Sequence, residues 1–228
     1  MKLLFVCTGN TCRSAMAEPL MRSRLEQVGL GEQVEVRSAG VAAVAGSPAS
    51  QGAVNVLNGK GMDGAGHMAS FVDRETVNWA DLILTMSQSH KRTLIEKHFE
   101  AMDKTFTLKE FVDDDPKNVA IFEEMADVQE AAQTKQSLFL AEHADEVEAL
   151  QVRYQSGDAS AEQDLVQLQE RLEATVQAES KRMGELMSQL PSFDIADPYG
   201  GSQGVYDACA EEIDGLLEKL VVRLQEEL

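Results

Sequence analysis

The sequence predicts an α/β fold: a four-stranded parallel sheet with helices on both faces, interrupted by an inserted antiparallel helical hairpin. Three observations predict it. Short apolar runs of strand length alternate with helix-length segments through about the first hundred residues. A long amphipathic segment closes the chain, and between the two lies a strongly acidic stretch almost free of glycine.

The first strand is expected over Leu3 to Val6, followed by a helix to about Val28. The pattern repeats as Val34 to Arg37 then Ala49 to Gly59, and as Leu82 to Met86 then His90 to Phe99. Such alternation implies a parallel sheet whose ligands bind at the carboxyl ends of its strands. Thr105 to Leu108 reads as a fourth short strand. Gln203 to Glu227 reads as a final helix, with Val205, Cys209, Ile213, Leu216, Leu217, Leu220 and Leu224 at helical spacing, which makes Cys209 a core residue.

Composition changes abruptly after Phe111. Residues 113–190 hold 18 Asp or Glu against 6 Lys or Arg, which is −12 of the chain's net −19, and glycine occurs only at 157 and 184. The segment divides at Ser156-Gly157-Asp158 into two halves, each of roughly 30 residues and about 45 Å long if a single straight helix. In the first, Ile121, Met125, Val128, Ala132, Phe139, Val147, Leu150 and Tyr154 recur at three or four residues; Leu165, Leu168, Leu172, Val176, Met183, Leu186, Met187 and Leu190 do so in the second. An antiparallel hairpin follows. The domain division is therefore 1–112 with 191–228, and an insert over 113–190. Two uses of the insert stand open: a decoration packed on itself and on the core, or an arm for dimerisation or a protein partner. His143 falls on the inner stripe of the first half and, with no Cys or His at ligand spacing, reads as interfacial.

A 43% hydrophobic content is enough to bury a core, and the net charge of −19 argues against nucleic acid as a partner. No stretch approaches the roughly 18 apolar residues of a membrane span. The run from Met1 to Val6 is too short for a secretion signal. Three cysteines do not make an even disulfide framework, and a nucleophilic thiol needs a reducing compartment, so the expected location is cytoplasmic.

That thiol is Cys7. The run Lys2-Leu3-Leu4-Phe5-Val6-Cys7-Thr8-Gly9-Asn10-Thr11-Cys12-Arg13-Ser14 delivers a cysteine from a strand into a small-residue loop closed by an arginine. Five residues between Cys7 and Arg13 are short enough to wrap a tetrahedral dianion, and Ala15 to Met21 reads as the helix that follows. Backbone N–H groups of Thr8, Gly9, Asn10, Thr11 and Cys12 and the positive helix end would face the anion. The same field stabilises a thiolate nucleophile, and Arg13 adds a planar fork matched to two phosphoryl oxygens. Ser14 is placed to donate to the Cys7 sulfur.

These residues resemble the low-molecular-weight protein tyrosine phosphatase superfamily, whose signature is this Cys-x5-Arg-Ser loop near the N-terminus. Val36-Arg37-Ser38-Ala39-Gly40, the run from Ala80 to Lys91, Phe106-Thr107-Leu108-Lys109-Glu110-Phe111 and Asp197-Pro198-Tyr199-Gly200 are similar to further stations of the family in order. Thr11 and the run Asp197 to Ser202 look most like its bacterial protein arginine phosphatase branch. The resemblance covers residues 1 to about 112 and about 191 to 228, and the long connection between them departs from the family.

The resemblance implies hydrolysis of phosphoarginine on proteins through a phosphocysteine, with no cofactor or metal required. It assigns leaving-group protonation to Asp197, an aromatic wall to Tyr199, and support of the loop asparagine to Ser38, alongside Asn10 and Ser14. Cys12 is open to two readings, as reversible disulfide partner of Cys7 or as a small buried side chain. Rival functions are a phosphotyrosine phosphatase using the same machinery; an arsenate reductase, disfavoured by the lack of thiols between Thr85 and His98; and a non-enzymatic adaptor acting through the acidic hairpin.

Overall fold

Each strand of the first hundred residues ends near one edge of a single sheet, and that edge carries the Cys7 loop. The computed structural model describes residues 1–227. Its elements run β1 (Lys2–Cys7), α1 (Arg13–Gln27), β2 (Glu35–Gly40), α2 (Gln51–Gly59), α3 (Arg74–Trp79), β3 (Leu82–Thr85), α4 (Gln88–Lys97), a 3-10 turn (Phe99–Lys104), β4 (Thr105–Thr107) and α5 (Leu108–Phe111). Then follow α6 (Pro116–Glu142), α7 (Ala144–Gln155), α8 (Ala159–Thr175), α9 (Gln177–Met187) and α10 (Gln203–Glu227). The sheet order is β2-β1-β3-β4, with every pairing parallel.

The chain separates into two compact units, Met1–Asp113 with Ser192–Leu228, and Asp114–Pro191. In the first, β1 is an interior strand buried on both faces, so it reads as an unbroken apolar run. Leu3 and Phe5 join a core with Met16, Leu20, Leu57, Ile213 and Leu217, drawn from α1, α2 and α10. Leu4 and Val6 join the opposite core with Val72, Val77, Ile83 and Leu94. Cys209 lies in the α10 core at 4% exposure, and burial pushes its thiol up to about 12, which makes it inert at neutral pH.

Two short helices escape the periodicity. α3 buries only Val77 and is held at its start by Asp73, which accepts from the Thr76 N–H; those bonds hold the Asp73 carboxyl below its usual range. The expected fourth strand stops at Thr107 because Thr107 and Glu110 form a capping box that opens α5 at Leu108. β2 runs on to Gly40, past the expected Arg37, since Gly40 pairs with Cys7 in the sheet register.

The second unit is a helical hairpin, with α6 against α9 and α7 against α8. The chain reverses at Gly157, whose φ is +81°, and Asp158 caps α8 by accepting from the Ser160 N–H. Each half is two helices rather than the single one expected, interrupted at His143 (φ −110°, ψ 18°) and Val176 (φ −110°, ψ 11°). At the first break the His143 ring stacks on Phe139 at 4.1 Å, and its Nδ1 lies 2.8 Å from the Phe139 carbonyl, so a side chain competes for a helical acceptor. Phe139, Leu150 and Leu168 form this unit's own small core.

Because each unit has its own core, replacing residues 115–190 by a short Gly-containing linker should leave the remainder folded, with cooperative unfolding and hydrolysis of a small aryl phosphate within several-fold of the parent. Failure to fold, seen in a thermal melt, would assign the hairpin to the catalytic core.

Candidate active site

Five carbonyls of the loop between β1 and α1, those of Cys7, Thr8, Asn10, Thr11 and Cys12, turn outward. Val41 N–H donates to the Cys7 carbonyl, Ala42 to Thr8, Ser50 to Thr11 and Met16 to Cys12, while His67 Nε2 sits 2.6 Å from the Asn10 carbonyl. A trans peptide directs its N–H opposite its carbonyl. The N–H groups of Thr8, Gly9, Thr11, Cys12 and Arg13 therefore turn inward, toward the centre of the loop. Cys12 gives α1 no side-chain cap, and its first turn holds no acidic residue, which leaves the positive helix end for an anion.

One residue of this loop takes a backbone conformation that side chains rarely adopt: Asn10, at φ 54°. Its fully buried side chain compensates by bonding on three sides. Nδ2 donates to Ser14 Oγ and Ser38 Oγ, each at 2.9 Å, and Oδ1 accepts from the Ser70 N–H at 2.8 Å. Ser38 in turn donates to Glu18. Gly40 permits the loop to lie this close to β2, since a Cβ there would come 2.5 Å from the Thr8 carbonyl oxygen and 2.8 Å from Asn10 N. Cys7 is 3% exposed, and its sulfur meets Ser14 Oγ at 3.0 Å and the Asn10 N–H at 3.3 Å.

Cys7, Thr8, Gly9, Thr11, Cys12, Arg13, Asp197 and Tyr199 line one cleft of about 370 Å³. Asn10, Ser14 and Ser38 stand behind it. Arg13 is almost fully buried: Nη1 donates to the Ile195 carbonyl at 3.0 Å, Nη2 bonds Asp197 Oδ2 at 2.8 Å, and Nε is a buried donor without a protein partner. Asp197 is half exposed, and its other oxygen accepts from the Tyr199 N–H at 3.2 Å. Pro198 to Gly201 then make a tight turn, with Gly200 at φ +77° and the Gly201 N–H on the Pro198 carbonyl. Tyr199 is 76% exposed at the mouth rather than packed in the core.

Four polar residues escape the sequence reading because only the tertiary fold brings them here. His67 and Glu18 brace Asn10 and Ser38. Tyr206 OH lies 3.5 Å from the Cys12 sulfur, which also donates to Ser50 Oγ at 3.2 Å. His90 Nε2 lies 2.7 Å from Thr8 Oγ1. Ala42, Val44 and Ser47, from the segment after β2, complete the cleft wall. All three cysteines are free thiols.

A thiol and a guanidinium held in one loop of inward N–H groups define a phosphate-ester or phosphoamide hydrolase site, and comparison with known proteins agrees. Residues 2–150 match the family described as low molecular weight phosphotyrosine protein phosphatase, and the chain belongs to that family. It is a phosphatase. The protein-arginine-phosphatase of Geobacillus stearothermophilus is 49% identical over 111 residues, covering 49% of this chain and 71% of that protein. Its counterpart from Bacillus subtilis (strain 168) is 45% identical over 112 residues, covering 49% and 73%. Among solved structures, the YwlE arginine phosphatase from Geobacillus stearothermophilus is 32% identical with a TM-score of 0.60, covering 99% of this chain and 94% of that one. A low molecular weight protein tyrosine phosphatase from T. tengcongensis is 31% identical with a TM-score of 0.61, covering 98% and 99%.

Asn10→Ala strands buried partners and removes a residue that tolerates positive φ, so it should cost about 2 kcal/mol of stability and lower Tm by about 4–8 °C. Calorimetry on the variant checks this, and affinity for inorganic phosphate should fall with it.

Proposed function

We propose that this phosphatase hydrolyses phosphoarginine on proteins through a phosphocysteine intermediate. The observation that carries the reading is the convergence of Cys7, Arg13 and Asp197 on one cleft floored by inward N–H groups. The preference for phosphoarginine draws on Thr11, which lines that cleft, and on the names of the two relatives above. Gly200-Gly201 leaves open a space that a second aromatic would otherwise fill. A phosphotyrosine phosphatase built on the same machinery is the alternative. The adaptor reading is not favoured, because the loop is intact and the relatives are phosphatases.

In the proposed reaction the phosphoryl group sits in the loop and the Cys7 thiolate attacks phosphorus in line. The S–P bond forms as the P–N bond breaks, and the electron pair leaves on the guanidine nitrogen, which takes a proton from Asp197. Arg13 and the loop N–H groups hold the charge on the equatorial oxygens. Asp197 then removes a proton from water as it attacks phosphorus; the S–P bond breaks, Cys7 returns to thiolate and phosphate leaves. General acid assistance of this kind is worth roughly 10²–10⁴-fold. Thr8, Gly9, Thr11 and Cys12 bind phosphate and substrate, Tyr199 walls the leaving group, and Ser14 and Ser38 keep the loop in shape.

The chemistry needs a reduced thiol, which supports a cytoplasmic location; no helix among the described residues is long and apolar enough to cross a membrane. Residues 113–190 are read as a separate inserted domain serving self-association or a protein partner. Exposed Leu138, Leu140, Val152 and Tyr154 on that unit support this use.

Cys7→Ser should abolish turnover while leaving the fold and phosphate binding intact; substantial residual hydrolysis would sink the mechanism. Asp197→Asn should slow poor leaving groups far more than good ones, and a flat loss across a leaving-group series would remove Asp197 from the acid role. In steady-state assays the parent should prefer a phosphoarginine peptide, and Thr11→Ile should shift preference toward phosphotyrosine, because an aliphatic rim leaves guanidinium N–H groups unpaired. A parent that favours phosphotyrosine, or an unmoved preference in the variant, would overturn the substrate assignment.

A further inference from the structure

His90 is 4% exposed, and both of its ring nitrogens are engaged. Nδ1 lies 2.8 Å from Ser87 Oγ, and Nε2 lies 2.7 Å from Thr8 Oγ1. Ser87 is itself fixed: its hydroxyl oxygen caps α4 by accepting from the His90 N–H at 3.3 Å, and its carbonyl accepts from Thr85 Oγ1 at 3.0 Å. The residue that starts the helix therefore also orients the ring. Ser89 Oγ, 2.8 Å from Ser87 Oγ, continues the chain outward. At the other end Thr8 directly follows the nucleophile and lines the cleft.

Burial, reinforced by the Arg13 guanidinium and opposed by Asp197 and Asp194, brings His90 down to about 4, so the ring is neutral at neutral pH. A neutral imidazole has one N–H and one bare nitrogen, which gives the chain of hydrogen bonds a direction. With Ser87 donating to Nδ1, the Nε2–H donates to Thr8 Oγ1 and leaves the Thr8 hydroxyl hydrogen free for the cleft. The opposite direction spends that hydrogen on the ring and turns a lone pair toward a phosphoryl dianion, which an anion site disfavours.

We propose that His90 is a positioning residue for the phosphatase reaction: oriented by Ser87, it donates to Thr8 and holds the Thr8 hydroxyl as a hydrogen-bond donor to a phosphoryl oxygen. The inference rests on the phosphatase reading of the cleft and not on which phosphoamino acid is cleaved. The substrate's phosphoryl oxygens meet this donor before and during the reaction alike, so its loss weakens binding more than turnover.

The test measures kcat and KM for p-nitrophenyl phosphate, and the inhibition constant of inorganic phosphate, in the parent and in variants at positions 8 and 90. Turnover by the parent, measured first, tests the phosphatase reading by itself. His90→Ala should raise KM and the phosphate constant about tenfold, the worth of one hydrogen bond to a charged group, with kcat within about twofold. Gln places an N–H near the Nε2 position and should restore phosphate affinity; Asn reproduces only the Nδ1 contact with Ser87 and should not. Thr8→Val should match His90→Ala, and the double variant should be no worse than either. Unchanged phosphate affinity in Thr8→Val, additive losses in the double variant, or rescue by Asn equal to that by Gln would overturn the proposal. Thr8 keeps the test decisive should His90→Ala fail to fold.

Discussion

Turning a peptide carbonyl outward turns the next N–H inward, and the site depends on this constraint being met at five of the residues from Cys7 to Cys12. The outward carbonyls find donors on four separate parts of the chain: the segment after β2 for Cys7 and Thr8, the α2 cap for Thr11, α1 for Cys12, and His67 for Asn10. The loop is consequently shaped by its surroundings rather than by its own sequence. Asn10 is where the demand is greatest. Its positive φ is held by bonds to Ser14, Ser38 and Ser70, so the strain of the nest is spread over β2, α1 and the strand-like segment that follows His67.

Charge is organised locally in a chain that is acidic overall. Exposed carboxylates are screened over about 8 Å at physiological ionic strength, whereas N–H groups aimed into a cleft and the guanidinium of a buried arginine act at contact distance. An anion site therefore coexists with a net charge of −19. Asp197 illustrates the balance: its carboxylate occupies one arm of the Arg13 fork, so it is held at the site by the same cation that the proposed reaction assigns to the phosphoryl group.

The sheet and its flanking helices were legible because an interior parallel strand must be apolar on both faces and a surface helix on one. Lys2–Cys7 and Gln203–Glu227 show those patterns without interference. α3 and α5 were not, being six and four residues long, too short for a period to repeat. The loop residues were legible through their spacing, since Cys7 and Arg13 must bracket one anion within a single turn of chain. His90, His67, Tyr206 and Glu18 carry no such spacing; each reaches the loop from a different element, and only the register of the sheet and the packing of the helices bring them there. The kinks at His143 and Val176 were hidden for a related reason, because heptad-like spacing continues across them while the backbone does not.

The discontinuous first unit also sets an order of events during synthesis. Met1–Asp113 leaves the ribosome without α10, whose Ile213, Leu217, Leu220 and Leu224 fill the core over β1, and without Asp197. The hairpin Asp114–Pro191 emerges next, and its short-range helical contacts let it fold on a fast local timescale. The nascent chain thus carries a thiol-bearing loop that lacks the carboxylate of Asp197 and one wall of its core until Ser192–Leu228 arrives. All four strands precede the insert, so the sheet can pair early, but the core over β1 waits through 78 intervening residues for α10 to cover it.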